Sequence, residues 1–139
     1  MTNLEKKIAA FKREAGDKSQ YTPEQQKIYA AFTKLNGKDT NFAVVDQEGI
    51  TIRFFIKSSA GAKHILDEHY LVERGKVTAK EILNMLDVIR TGKKTFENDS
   101  YVYRKKYTIN GFTYTVVLRL IKANGKIALK TFYSNRGYK

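Results

Sequence analysis

Apolar residues recur at Leu4, Ile8, Ala9 and Phe11 with Lys and Glu between them, which predicts an amphipathic helix over residues 3–14 that closes near Gly16. A second helix is marked by Thr22-Pro23-Glu24-Gln25, which supplies a capping hydroxyl, a proline at the first helical position and a Gln three residues past the cap. Asn36-Gly37 supplies its stop. Phe42 to Val45 and Ile50 to Ile56 are rich in β-branched and aromatic residues and flank Gln47-Glu48-Gly49, so they predict a hairpin. A third helix is expected over roughly residues 60–69. Thr78-Ala79-Lys80-Glu81 has the form of a capping box and opens a fourth helix, with Ile82, Leu83, Leu86 and Ile89 inward and Gly92 at its end.

The C-terminal stretch predicts a three-stranded antiparallel meander whose register follows from its turns. Asn110-Gly111 and Asn124-Gly125 each sit between strand-like runs, and Asn-Gly suits the two-residue type I′ turn because both positions tolerate positive φ. Counting outward, the first turn pairs Ile109 with Phe112, Tyr107 with Tyr114, Lys105 with Val116 and Tyr103 with Leu118. The second pairs Leu120 with Leu129, Leu118 with Thr131 and Val116 with Tyr133. Alternation then gives a mainly apolar face for the core. The opposite face gathers Arg104, Lys106, Arg119, Lys130, Thr113, Thr115, Val117, Phe132 and Ser134, with Arg119 directly across from Lys130. Like charges across a ladder are unfavourable unless an anion or water compensates them.

Composition adds a location to that face. The chain has 139 residues, with 26 Lys plus Arg against 14 Asp plus Glu, a net charge of +12. After Asp99 there is no acidic residue, and residues 100–139 carry nine of the cations together with six of the nine Tyr and two Phe. Cations interleaved with aromatics suit a polyanion with flat bases, and Phe132 is the expected stacking ring beside the phosphate-binding Arg104, Lys106, Arg119 and Lys130. The absence of Cys excludes disulfides, thiolate zinc sites and thiol catalysis. No apolar run reaches the roughly 18–20 residues that span a bilayer, so a soluble chain without a membrane partner is expected. An α+β domain fits the whole pattern, with a helical portion over residues 1–40 and the remaining elements over 41–139 packed with it as one compact unit.

Candidate chemistry centres on the two histidines, His64 and His69, in Lys63-His64-Ile65-Leu66-Asp67-Glu68-His69-Tyr70. Imidazole is the side chain best suited to move protons near neutrality. Five helical positions rotate by about 500°, which would point the two rings about 140° apart unless the helix ends between them, so joint metal ligation is not expected. No HExxH motif is present, and no metal or other cofactor is expected.

Residues 60–136 resemble the barnase/EndoU/colicin D/RelE-like (BECR) superfamily of metal-independent endoribonucleases, especially the small phage-borne and polymorphic toxins. The resemblance rests on the Lys-His-Ile helix with a second His soon after, the capped helix ending in Gly, and a three-stranded meander finishing in Lys130-Thr131-Phe132-Tyr133-Ser134-Asn135-Arg136. It implies a BECR-like core over 41–139 and a helix-borne His paired with a hydroxyl and a cation on the terminal strand: His64, Thr131 or Ser134, and Arg136. His69 and Lys63 are partners by the same resemblance, and Arg136 with Lys63 would steady the charged phosphate. The basic meander departs from barnase in carrying no Glu to act as a carboxylate base.

The register turns Thr131 and Tyr133 to the apolar face, and a bulge in the terminal strand would exchange them with Phe132 and Ser134, so both pairs remain candidates. The expected function is a ribonuclease toxin acting on tRNA or another cellular RNA through the RNA's own 2′-hydroxyl. Such a toxin would be held in check by an acidic antitoxin or immunity protein and would act in the cytoplasm of its own or a target cell. The alternatives are a non-catalytic RNA-binding module using the same face and an adaptor for an acidic protein. Nothing in the sequence bears on oligomeric state.

Overall fold

The computed structural model describes residues 2–34, 39–123 and 125–137; the Asn36-Gly37 stop, Asn124 of the second Asn-Gly turn, Tyr138 and Lys139 lie outside them. The architecture is α+β. Five helices, α1 (Asn3–Ala15), α2 (Pro23–Thr33), α3 (Lys63–His69), α4 (Ala79–Leu83) and α5 (Met85–Thr91), accompany strands β1 (Thr40–Val45), β2 (Thr51–Ile56), β3 (Lys93–Glu97), β4 (Ser100–Ile109), β5 (Phe112–Ala123) and β6 (Lys126–Ser134). These strands form one sheet in the order β1-β2-β6-β5-β4-β3, antiparallel throughout except where β2 runs parallel to β6.

Local sequence accounts for most element ends. Thr2 and Glu5, Thr22 and Gln25, and Thr78 and Glu81 form reciprocal capping boxes at the starts of α1, α2 and α4. The predicted fourth helix is interrupted at Asn84, where φ −100° and ψ 17° break it into α4 and α5. The third begins with a wide π turn over Ser58–Ala62, and only the residues from Lys63 are α-helical. Asn110 (φ 53°) and Gly111 (φ 81°) both occupy the left-handed region that a type I′ turn needs.

Phe11, Ile28, Phe32, Ile65, Leu66, Ile82 and Ile89 from the helices share one core with Val44, Phe54, Val116, Leu118 and Leu129 of the sheet. The helices therefore cover one face of the sheet, and the N-terminal helices belong to the same core as the rest. The other face, bearing Arg53, Arg104, Lys106, Thr113, Thr115 and Arg119, is half-buried to exposed at these positions.

The meander differs from its expected form in two ways. It has a fourth strand, β3, joined to β4 through Asn98 and Asp99, both at positive φ, so a glycine-free dipeptide makes a turn of the same kind. Its terminal strand also carries a β-bulge at Lys130. The pairing Leu120 to Leu129 is kept, but beyond it Arg119 pairs with Thr131, Leu118 with Phe132, Val117 with Tyr133 and Val116 with Ser134. One extra residue reverses the facing of every later side chain. Phe132 and Ser134, expected outside, are fully buried; Thr131 and Tyr133, expected in the core, turn to the open face. A buried Phe asks for no hydrogen-bond partner, and fully burying it is worth roughly 1.5–3 kcal/mol. The Ser134 hydroxyl, taken inward with it, donates to the Lys76 carbonyl.

Candidate active site

The bulge brings the end of β6 and helix α3 together on one rim of the open face. His64, His69, Lys130, Thr131 and Tyr133 line a cleft of about 450 Å³. The two imidazole centroids are 5.4 Å apart at 75°, and the His69 ring lies 5.5 Å from that of Tyr133. Despite the expected 140° divergence the rings meet, with His69 the last residue of α3 before the extended Tyr70 (φ −111°, ψ 131°).

The two rings stand in unlike environments. His64 is exposed, whereas His69 is half-buried, with its Nδ1 wholly enclosed against the Gly75 backbone and making no well-aligned hydrogen bond among the described residues. That atom faces Gly75, where an added Cβ would lie 3.2 Å away, and this leaves Nε2 as the ring nitrogen available to the cleft. Burial first, then the neighbouring His64 and Lys7, push the His69 imidazolium below the ordinary histidine value; Glu68 and the Gly75 backbone oppose them and are outweighed. His69 is thus the neutral partner near pH 7. The Thr131 hydroxyl in the same cleft is buried and likewise lacks a hydrogen-bond partner among the described residues.

Two residues that sequence reasoning passed over support this arrangement. Lys7 of α1 donates from Nζ to the Leu66 and Asp67 carbonyls at 2.9 and 2.8 Å, capping the last turn of α3. Gly75 (φ 73°) threads beneath His69 and joins the end of β6 through Gly75 N to Arg136 O at 2.8 Å. Nothing in the spacing of the sequence indicates that the chain at Gly75 returns to His69.

Other expected site residues are placed elsewhere. Phe132 is in the core and cannot stack a base. Ser134 is buried against Lys76. Arg136 lies over the Tyr114 ring at 3.7 Å and grips Glu81 through two hydrogen bonds of 2.7 and 2.9 Å, facing a separate cleft with Ile109, Phe112 and Tyr114. Burial works to raise the Glu81 carboxyl, but bonds from Arg136, Tyr114 and the Thr78 N–H outweigh it and hold it below its ordinary value. A guanidinium so committed stabilises the fold and is withdrawn from the phosphate role. Lys63 makes an exposed ion pair with Asp67 at 3.4 Å beside the cleft.

The open face keeps its cations with one exception. Arg104 is tied to Glu97 of β3 at 2.7 Å, so it is a paired charge and not a free phosphate ligand. Lys106, Arg119 and Lys130 have no carboxylate within ion-pair distance among the described residues. The expected Arg119 to Lys130 opposition is relieved by the bulge, which sets Arg119 against Thr131. Among the described residues no group of three or more His, Asp and Glu side chains is placed to hold a metal ion, and no helix is long and apolar enough to cross a membrane. No family model, curated protein or solved structure matches this chain.

Proposed function

We propose that the protein is a metal-independent endoribonuclease of the BECR kind, with His64 and His69 as its proton-transfer pair. The observation that carries this reading is the meeting of two imidazoles, one exposed and one held neutral, with Lys130, Thr131 and Tyr133 at the rim of an acid-poor basic face.

RNA brings its own nucleophile, so the site has only to move two protons and steady a charged phosphorane. Neutral His69 accepts the proton of the 2′-hydroxyl at Nε2 as that oxygen bonds to phosphorus. The bond from phosphorus to the 5′-oxygen breaks as protonated His64 donates to the leaving oxygen. The products are a 2′,3′-cyclic phosphate and a 5′-hydroxyl, and no electrons change hands. Lys130 would neutralise the charge that develops on the non-bridging oxygens, the Thr131 hydroxyl would serve once the cleft opens to admit an acceptor, and Tyr133 would offer a ring to the neighbouring base. A toxin role, tRNA as the substrate and an acidic inhibitor protein extend the same reading.

Purified protein incubated with total RNA in EDTA should yield fragments ending in cyclic phosphate, with at least a hundredfold loss in His64→Ala and in His69→Ala. Intact RNA, or cleavage unchanged in both variants, overturns the proposal. Salt-sensitive RNA binding without cleavage, retained in both variants, is what a purely binding module would give.

A further inference from the structure

The open face extends from the histidine cleft in a second direction. Along β6, Lys126 and Ala128 share a side of the strand, and four residues separate Lys126 from Thr131, roughly 15 Å along the strand. Beside Lys126 the parallel strand β2 contributes Arg53 and Phe55. Asn41, Arg53, Phe55, Gly125 and Lys126 line a cleft of about 250 Å³. Phe55, though in the sheet's outward register, is only 6% exposed, because Lys57 and Lys126 lie over its ring at 5.7 and 5.4 Å.

These cations contrast with the paired cations of the C-terminal stretch. Arg104, Lys105 and Arg136 are each matched by a carboxylate at 2.7, 2.6 and 2.7 Å. Arg53, Lys57 and Lys126 have none within ion-pair distance among the described residues, although Lys57 and Lys126 meet over one ring with Arg53 in the same cleft, and like charges so gathered repel. An anion shared by Arg53 and Lys126 would relieve that repulsion, and the Asn41 amide can donate to the same oxygens.

We propose that this cleft is a phosphate subsite for single-stranded RNA running along β6, so that one stretch of backbone spans from Arg53 and Lys126 to the histidines. This rests on the nuclease reading for the identity of the polyanion, while the subsite itself rests on the paired strands β2 and β6. Single-stranded RNA is favoured over a duplex because in-line attack by a 2′-hydroxyl needs a nucleotide free of A-form stacking.

The test measures binding of fluorescent 2′-O-methyl oligonucleotides, which cannot be cleaved, in a length series from two to about ten nucleotides. Affinity should rise with length in the parent protein. In the Arg53→Gln/Lys126→Gln double variant the gain from the longer oligonucleotides should fall about tenfold, and the slope of log affinity against log salt should drop by about 1.4, the value for two lost contacts to a single strand. A Lys12→Gln/Lys18→Gln variant, with the same charge change on α1 and the turn after it, should bind like the parent. The subsite is overturned if the two double variants bind alike, or if a hairpin duplex shows the same Arg53 and Lys126 dependence as the single strand. Loss of length-dependent binding in the first variant, with no cleavage by the parent, would sink the nuclease reading and leave the subsite standing.

Discussion

Truncating Phe132 and Tyr133 in turn tests the bulge on which the candidate site depends. Phe132 is 0% exposed and paired with Leu118 in the core, while Tyr133, one residue on, is half-exposed against Val117 and His69. Phe132→Ala removes a ring from a close-packed interior and should cost about 3–5 kcal/mol. Tyr133→Ala removes a ring whose outer side already meets water, and its hydroxyl makes no hydrogen bond among the described residues, so about 1 kcal/mol is expected. A domain of this size has about 5–15 kcal/mol of stability in all, so the first variant should be near unfolding in modest urea and the second should remain folded. Urea denaturation followed by circular dichroism reads both numbers, and RNA cleavage by the folded Tyr133→Ala protein reads the site. An unbulged β6 would give the reverse order, with Tyr133→Ala the costlier. That result would return Phe132 and Ser134 to the open face and dissolve the cleft.

Gly75→Ala should cost about 1–2 kcal/mol through its positive φ and lower cleavage further than that loss of stability explains, because the new Cβ would meet His69 Nδ1 at 3.2 Å; an unchanged His69 imidazole resonance by NMR would contradict this. Because folding depresses the His69 value, the unfolded chain takes up the proton first as pH falls below about 6.5. Stability present above that pH should therefore decline through the depressed folded value, and urea midpoints of His69→Gln should lack the step. Glu81 also has a lowered value, so its contribution is present above about 4.5 and is lost only in more acidic solution. Glu81→Gln should cost about 2 kcal/mol by leaving the Arg136 guanidinium without its counter-charge, and abolition of that cost in the Glu81→Gln/Arg136→Met double variant would show the two act as a pair.

Local signals were legible wherever neighbouring residues decide the structure. Two of the three capping boxes, Thr22 with Gln25 and Thr78 with Glu81, were readable as short polar patterns, and Asn110-Gly111 fixed its hairpin so fully that the pairing of Ile109 with Phe112 through Tyr103 with Leu118 follows by counting. Counting fails after Leu129 because a bulge is a tertiary compromise: it depends on whether Phe132 or Tyr133 better fills the space under the helices, which no spacing along β6 reveals. Strand β3 was missed because Asn98-Asp99 lacks the glycine that usually marks such a turn, and the parallel contact of β2 with β6 joins segments more than seventy residues apart. His64 and His69 were legible as residue types. Their approach to 5.4 Å was not; it occurs at the end of α3, which Lys7 caps from the far end of the sequence.

The charge distribution shows why the fold, more than the composition, selects the candidate site. Nine cations in residues 100–139 suggest one uniformly basic surface. Folding divides them. Lys105 and Arg136 face the helices, where Asp87 and Glu81 meet them, and Arg104 is met by Glu97 across the β3–β4 hairpin. The acids missing from the basic stretch are thus supplied by α4, α5 and β3, and they neutralise the cations placed on or near those elements. Lys106, Arg119 and Lys130 are left without carboxylate partners, and Arg53 and Lys126 join them from outside or at the edge of that pattern. Screening limits the reach of such charges to about 8–10 Å in ordinary salt, so only groups on the same face reinforce one another. The cations without carboxylate partners are therefore spread over β2, β4, β5 and β6 of the open face, and the histidines of α3 share a cleft with one of them, Lys130.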